Sequence, residues 1–349
     1  MPLTSRFLTD VGPQSSALNL LRNKRILVTG GTGSFGKAFV NRLMECIPVE
    51  RLVIFSRDEL KQYEMEQTFS REAADQLRFF LGDVRDLQRL EMAMRDVDYV
   101  IHAAALKQVP AAEYNPFECI HTNVLGGENV VRAALRNQVK RVIALSTDKA
   151  SNPINLYGAS KLASDKIFVA ANHLSGSTKV RFSVVRYGNV MGSRGSVVPL
   201  FRKLIAEGAD SLPITDVNMT RFWITLREGV DFVVSCLEMM SGGEIFVPKI
   251  PSMKITDLAH TMAPNLKHRI VGIRPGEKLH ETMITEGDAR STVELPDRYV
   301  IEPAFAWFDR STFEGPSTRR VPDDFRYSSD SNPDWLKPEQ LKTMLTDQD

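Results

Sequence analysis

Cysteine is scarce in this sequence: three in 349 residues, an odd number, scattered at Cys46, Cys119 and Cys236 in apolar settings. That excludes a disulfide framework, and the spacing offers no metal ligands. The three read as reduced, buried thiols of a cytosolic protein, and no metal site is expected. Charge of one sign is lacking too. Forty-four Lys and Arg against 43 Asp and Glu leave a formal net charge of +1, which gives no electrostatic reason to expect nucleic acid or an anionic membrane as partner. No apolar run is long enough to span a bilayer. Residues 1–22 carry an apolar patch, Ala17 to Leu21, but no charged start, long apolar centre or small-residue cleavage site. They are read as a loosely held arm used in subunit contacts, not as a secretion signal. There is no internal repeat. What is present, 43% hydrophobic and 25% charged residues, is the balance of a globular chain able to bury a large core.

The first ordered pattern is a β-branched run, Arg25 to Thr29, leading into Gly30-Gly-Thr32-Gly33-Ser34-Phe35-Gly36 and then a helical spacing of Phe39, Leu43 and Ile47 closed by Pro48. Strand, glycine loop and helix together form a pyrophosphate cradle: glycines permit close approach, and the helix start supplies free N–H groups. The spacing is G-x-x-G-x-x-G. A second strand, Arg51 to Phe55, ends about where an adenosine ribose would lie. Ser56, Arg57 and Lys61 follow it, a hydroxyl and two cations suited to a 2′-phosphate, so NADP is expected over NAD, although Asp58 could reach the ribose. A third strand, Leu77 to Leu81, runs to Asp83 and Val84. There the Asp either bonds an adenine amine while Val84 covers the ring, or caps the helix Asp86 to Met94, or both. The fourth strand, Tyr99 to Ile101, leads to His102, then Ala103, Ala104, Ala105 and Lys107. The alanines leave room for a flat group, and His102 reads as a satisfied core residue.

A helix over Pro116–Asn137, interrupted at Gly126-Gly127, precedes the strand Arg141 to Leu145. Repeated strand–helix alternation predicts an α/β fold with a doubly wound parallel sheet, whose strand ends share one crevice. Into it would project Thr147, Asp148 and Lys149, and then Tyr157 and Lys161, which stand on one face if helical. A lysine beside a phenol favours the phenolate, making Tyr157 a base nearer neutral pH. After the strand Phe182 to Arg186, a Gly/Ser-rich loop from Asn189 to Pro199 should face the crevice. Arg221 and Arg274 are candidates for an anionic diphosphate. The segment after Pro251 reads as a smaller unit of short helices and loops, and Trp335 as the anchor of a polar tail with a terminal helix from Pro338.

These stretches carry a resemblance. Gly30–Gly36, Tyr157 to Lys161 and Arg186-Tyr-Gly-Asn-Val190 resemble the extended short-chain dehydrogenase/reductases of the Rossmann type that act on nucleotide sugars. Ser146-Thr-Asp-Lys-Ala150 with Asn152 to Tyr157, and Arg274-Pro-Gly-Glu-Lys-Leu-His-Glu281, look like one branch, the inverting UDP-N-acetylglucosamine 4,6-dehydratases that begin pseudaminic acid synthesis. The similarity covers residues 23 to about 345. Thr147 lies only ten residues before Tyr157, closer than in ordinary members, and Asp148-Lys149 stands where retaining dehydratases carry Asp-Glu. Membrane-anchored relatives have N-terminal spans that this sequence lacks.

The resemblance implies a lyase with bound NADP, held by the glycine loop, Ser56, Arg57, Lys61, Asp83, Val84, Ala103 to Ala105, Lys107, Tyr157, Lys161 and Val190. It implies Tyr157, activated by Lys161, as base at the C4 hydroxyl, which Thr147 orients. Lys149 would be the base at C5 and Asp148 the group aiding loss of the C6 hydroxyl. For that role the Lys149 pKa would be drawn toward neutrality by Lys161 and burial, against Asp148. UDP-N-acetylglucosamine would be held by Lys107, Asn189, Arg194, Gly195, Ser196, Val197, Val198, Thr215, Met219, Arg221, Arg274 and Glu277. Expected organisation is an arm (1–22), an NADP unit (23–188 with about 219–247), a sugar-nucleotide unit (189–218 with 248–335) and a tail (336–349), in a cytoplasmic homo-oligomer for which the family suggests a hexamer. A retaining dehydratase, a UDP-hexose 4-epimerase and, more remotely, a non-catalytic NADP sensor are the alternatives.

Overall fold

The computed structural model describes residues 6–8 and 15–346. Six short strands, β1 (Arg25–Thr29), β2 (Arg51–Ser56), β3 (Leu77–Leu81), β4 (Tyr99–His102), β5 (Arg141–Thr147) and β6 (Arg181–Tyr187), pair in parallel in the spatial order β3-β2-β1-β4-β5-β6. Their apolar runs are continuous because helices cover both faces. Val28, for example, sits between Ile54 and Ile101, all three without solvent exposure. The order reverses between β1 and β4, which opens the crevice outside the strand ends where such sheets bind ligands.

Beyond β6 the sheet continues with Ile245–Pro248, still parallel, and then with Arg298–Ile301, Thr292–Glu294 and Arg319–Arg320, all antiparallel. Residues 292–301 thus extend the large sheet instead of lying wholly in the smaller unit expected for 248–335. Their β-branched and aromatic residues (Val293, Tyr299, Val300, Ile301) pack into the main core. A second core joins Met191, Val198, Phe201, Met219, Trp223 and Leu258 to Leu336, Leu341 and Met344. The terminal helix Pro338–Thr346 is therefore part of the smaller unit, and Leu336 and Leu341 anchor it, not Trp335, which stays 38% exposed.

The described part of the N-terminal arm is also held firmly. Leu18 and Leu21 are fully buried, the ring of Phe7 packs edge-on against Phe232, and Arg6 Nη1 donates to Asp334 Oδ2 at 3.0 Å. The rest of the arm lies outside the described residues. The expected long helix is broken: Pro116–Ile120, a π-helical turn His121–Leu125, then Gly126–Arg136. That turn aims the buried Asn123 at the loop after β4, where it accepts from Leu106 N (2.8 Å) and donates to Leu106 O (2.9 Å) and Ser160 Oγ (2.9 Å). Such turns often mark functional positions.

Candidate active site

The glycine loop forms a cradle that only glycine can line. Gly30 has φ +66°, and a Cβ there would lie 2.8 Å from Ala104 N. A Cβ on Gly36 would lie 2.5 Å from the backbone of Gly31. Helix Ser34–Cys46 begins at Gly33 with no side chain capping it, so its first N–H groups face the crevice. The residues present fit a dinucleotide pyrophosphate. Thr32 is buried beside the loop, and the Phe35 ring packs with Phe39 and Tyr187.

At the end of β2, Ser56 is buried and its hydroxyl accepts from Gln62 Nε2 at 3.0 Å. Arg57 is exposed, with only a long 3.5 Å contact to Asp83 Oδ2. Lys61 is paired with Asp58, which also caps helix Glu59–Glu66, so Arg57 is the freer cation. Asp83 does not cap the following helix; Asp86 does. Asp83 is clasped by Arg85, whose Nε and Nη2 donate to Oδ2 at 3.0 and 2.7 Å. Burial would raise its pKa, but these bonds outweigh burial and hold the carboxyl below its ordinary range. Arg85 had no signal in the sequence beyond being one more charged residue.

His102 is buried in the core, but only half satisfied. Its Nδ1 pairs with Thr29 Oγ1 at 2.8 Å and its Nε2 has no partner. Burial, aided by the charge of Lys161, lowers its pKa from 6.5 to about 3. An unfolded chain would take up a proton that the native state refuses. Stability is then full above about pH 6.5 and falls as pH drops toward 3, by up to about 1.4 kcal/mol per pH unit. Urea midpoints at about pH 7.5 and 5.5 check this, and His102→Gln should flatten the slope.

The centre lies past β5. Thr147 Oγ1 donates to Asp148 Oδ1 at 2.9 Å, and Lys149 Nζ donates to the same oxygen at 3.0 Å and to Asn189 Oδ1 at 3.3 Å. Asp148 is fully buried, and its Oδ2 has no partner. Helix Leu156–Ala170, capped by Asn155, buries Tyr157 and Lys161 on one side, as the spacing predicts. The electrostatics differ from expectation. Burial pushes the Tyr157 phenol up to about 12; the cation that pulls hardest against burial is Lys149, not Lys161, and a hydrogen bond with Thr147 helps. Lys161 has its own pKa lowered by burial, against the charge of Asp165 one turn on. Lys149 is not drawn toward neutrality. Burial would lower it, but Asp148 and Glu281 together outweigh burial and hold it as an ammonium, and the cation opposing them is Arg221. Glu281, buried and 3.3 Å from Lys149 Nζ, is the site residue that sequence reasoning missed. Its motif was legible, its role was not.

Several expected sugar-binding residues are employed elsewhere. Arg221 is buried, its Nη1 donating to Thr220 O and Leu279 O and its Nη2 to Lys278 O. It braces the 278–279 backbone and has little left for a diphosphate, whereas Arg274 is exposed and pairs with Glu277 at 3.6 Å. Val198, in the helix Val197–Ala206, and Met219, just before the strand Thr220–Ile224, belong to the second core, and Thr215 is buried. Arg194 N donates to Ser34 Oγ at 3.2 Å, and Gly195 (φ +77°) lies directly against Gln108. The 193–196 loop therefore crosses the cofactor half of the crevice, where burial, aided by the charge of Arg194, lowers the Lys107 pKa. Ser196 Oγ is buried without a partner. Asn189 and Val190 border the centre, forming a short strand beside Trp223 and Ile224.

A doubly wound sheet with a glycine-loop cradle and a Tyr157–Lys161 helix at the strand ends defines a nicotinamide-dependent short-chain dehydrogenase/reductase of the extended type. Residues 26–303 match the model of a polysaccharide biosynthesis protein family. The chain is 58% identical over 331 residues (93% of it, 98% of the relative) to the inverting UDP-N-acetylglucosamine 4,6-dehydratase of Campylobacter jejuni strain 81-176. It is 43% identical over 286 residues (80% and 83%) to a UDP-glucose 4-epimerase of Rickettsia canadensis. Among solved structures, Pen from Bacillus thuringiensis superposes with TM-score 0.85 at 34% identity, covering 94% of this chain and 98% of that one. The dTDP-glucose 4,6-dehydratase DesIV of Streptomyces venezuelae, solved with NAD and TYD, gives 0.62 at 25% identity, covering 73% and 86%. The chain belongs to the polysaccharide biosynthesis protein family, alongside the inverting UDP-N-acetylglucosamine 4,6-dehydratases. No helix among the described residues is long and apolar enough to cross a membrane.

Proposed function

We propose that the protein is an NADP-dependent, C5-inverting UDP-N-acetylglucosamine 4,6-dehydratase, a hydro-lyase. The product is UDP-2-acetamido-2,6-dideoxy-β-L-arabino-hex-4-ulose, formed with release of one water. One observation carries this reading: the Asp148–Lys149 acid–base pair, its carboxylate fully buried and its amine partly so, sits within electrostatic reach of the Tyr157 phenol. Hydride transfer at C4 alone has no use for such a pair, whereas elimination across C5–C6 needs both a proton acceptor and a proton donor.

The bound cofactor supplies a hydride acceptor for C4 and a donor for C6. Tyr157 takes the C4 hydroxyl proton, and Thr147 orients that hydroxyl. The ketone acidifies C5–H. In the structure Lys149 rests as an ammonium against Asp148, so one proton must pass from Lys149 to Asp148 before the amine can act at C5 and the carboxylic acid at the C6 oxygen. Without that transfer the two roles exchange. C5 is reprotonated from the opposite face. The cofactor binds the large sheet, and the nucleotide sugar lies between it and the smaller unit, with Asn189, Arg274 and Glu277 on that side. The same reading places the enzyme at the first step of pseudaminic acid synthesis, in the cytoplasm, as a homo-oligomer.

Incubation with UDP-N-acetylglucosamine and NMR of the product tests this. Loss of the C6 hydroxyl with inverted C5 is expected. Retention at C5 would make it a retaining dehydratase, and C4 inversion with the C6 hydroxyl kept would favour the 4-epimerase reading, to which the Rickettsia relative lends weight. The NADP assignment rests on the exposed Arg57 beside Ser56. Arg57→Asp should weaken NADP roughly tenfold to a hundredfold in a binding titration and NAD far less. Equal loss for both would overturn the 2′-phosphate assignment.

A further inference from the structure

Glu281 differs from Glu244, a structural carboxylate of this fold. Glu244, equally buried, is held by Ser183 Oγ at 2.5 Å and by the N–H groups of Ser241 and Gly242. Glu281 has no such cradle. Its Oε1 lies 3.3 Å from Lys149 Nζ, its Oε2 lies 3.6 Å from Lys278 Nζ, and Oε2 has no hydrogen-bond partner. Its backbone, in contrast, is fixed: Glu281 N donates to Ser329 Oγ at 3.0 Å and Glu281 O accepts from Ser329 N at 2.8 Å. Lys278 in turn donates to Ser151 O at 2.8 Å, just past the Asp148–Ala150 turn, while Arg221 grips the carbonyls of 278 and 279. A rigid brace thus presents one desolvated carboxylate to the amine of Lys149. An unpaired charge at such a depth is strongly unfavourable, so the carboxylate depends on the two amines beside it, of which Lys149 is the nearer.

We infer that Glu281 is a positioning residue for Lys149, holding its Nζ between Asp148 and Asn189 and setting how readily the amine gives up its proton. The inference rests on the reading of Lys149 as the acid–base group of the elimination. The charged and titratable groups facing Lys149 are Asp148 on its own turn, Glu281 and Lys278 on the opposite segment, Arg221 beneath them, and Tyr157 on the helix. Removing Glu281 removes one of two carboxylates, and removing Lys278 removes a cation that opposes protonation of Lys149.

The test measures acylation of Lys149 by an amine-selective reagent, read by peptide mass spectrometry across pH in the full-length protein. Only the neutral amine reacts. Glu281→Gln should speed the reaction roughly tenfold at a given pH, and Lys278→Met should slow it. In the same variants kcat should fall more than KM rises, and Glu281→Asp should recover part of the loss. Opposite signs in the two variants distinguish charge from access, since a loosened site would speed both. An unchanged rate in Glu281→Gln that still binds NADP, or changes of the same sign in both variants, would overturn the inference. If Glu281→Gln does not fold, the sign in Lys278→Met decides. Wild-type protein that makes no keto-sugar would instead sink the dehydratase reading, leaving the acylation result to judge Glu281 by itself.

Discussion

Lys149→Met should lower the dehydration rate by roughly two to four orders of magnitude, the range lost with a general acid–base group. Two steps suffer. On the proposed mechanism, the elimination loses one of its two proton carriers. The Tyr157 phenol, already pushed up to about 12, loses the cation that most opposes that rise, so its pKa climbs further and the rise of C4 oxidation with pH moves to higher pH. Exchange of the C5 hydrogen in deuterium oxide separates the two, and exchange at the wild-type rate would exclude Lys149 from C5. The substitution also leaves Asp148 and Glu281 buried without their shared cation, a change that typically costs about 3–5 kcal/mol. NADP titration and thermal melting therefore accompany the kinetics, and a folded, cofactor-loaded variant without turnover is the expected result.

Gly158→Ala should be nearly as damaging, although it adds one uncharged methyl group. In an ordinary helix the change would gain about 1 kcal/mol. Here a Cβ would fall well inside contact distance of the Lys149 carbonyl oxygen, and 3.0 Å from its carbon, with Pro153 at 3.1 Å. Two of these atoms are backbone and cannot turn aside. The helix bearing Tyr157 must back away from the turn bearing Asp148 and Lys149. Displacements near 1 Å in such a site can cost roughly a hundredfold in kcat, and overpacking adds about 1–3 kcal/mol of destabilisation. The expected variant binds NADP, melts earlier and turns over slowly. Wild-type kcat in Gly158→Ala would show that the two segments need not touch.

The parallel strands were readable because each is a short apolar run ending in glycine or polar residues, and period and composition are local properties. Tyr157 and Lys161 were readable for the same reason, since their spacing fixes a shared helix face whatever else the chain does. The broken helix at His121–Leu125 was not, because a π-turn stabilised by Asn123 bonding across to Leu106 and Ser160 leaves no periodic trace. Leu336 in place of Trp335 as the tail's anchor, and strands 292–301 in the large sheet, likewise depend on partners far away in sequence.

The sequence by itself determined the nucleotide-binding sheet, the glycine cradle and the Asp148-Lys149 and Tyr157-Lys161 pairs, because all of them rest on residues within a few positions of one another. Only the tertiary structure decided the charge of Lys149. Burial, Glu281 from 132 positions downstream (281 less 149) and Arg221 act on Lys149 through space. Electrostatic energy depends on distance and desolvation, neither of which is written in the order of the residues. The fold likewise turned Arg221 from an expected diphosphate ligand into the brace of the segment that carries Glu281, because its guanidinium is engaged by three backbone carbonyls.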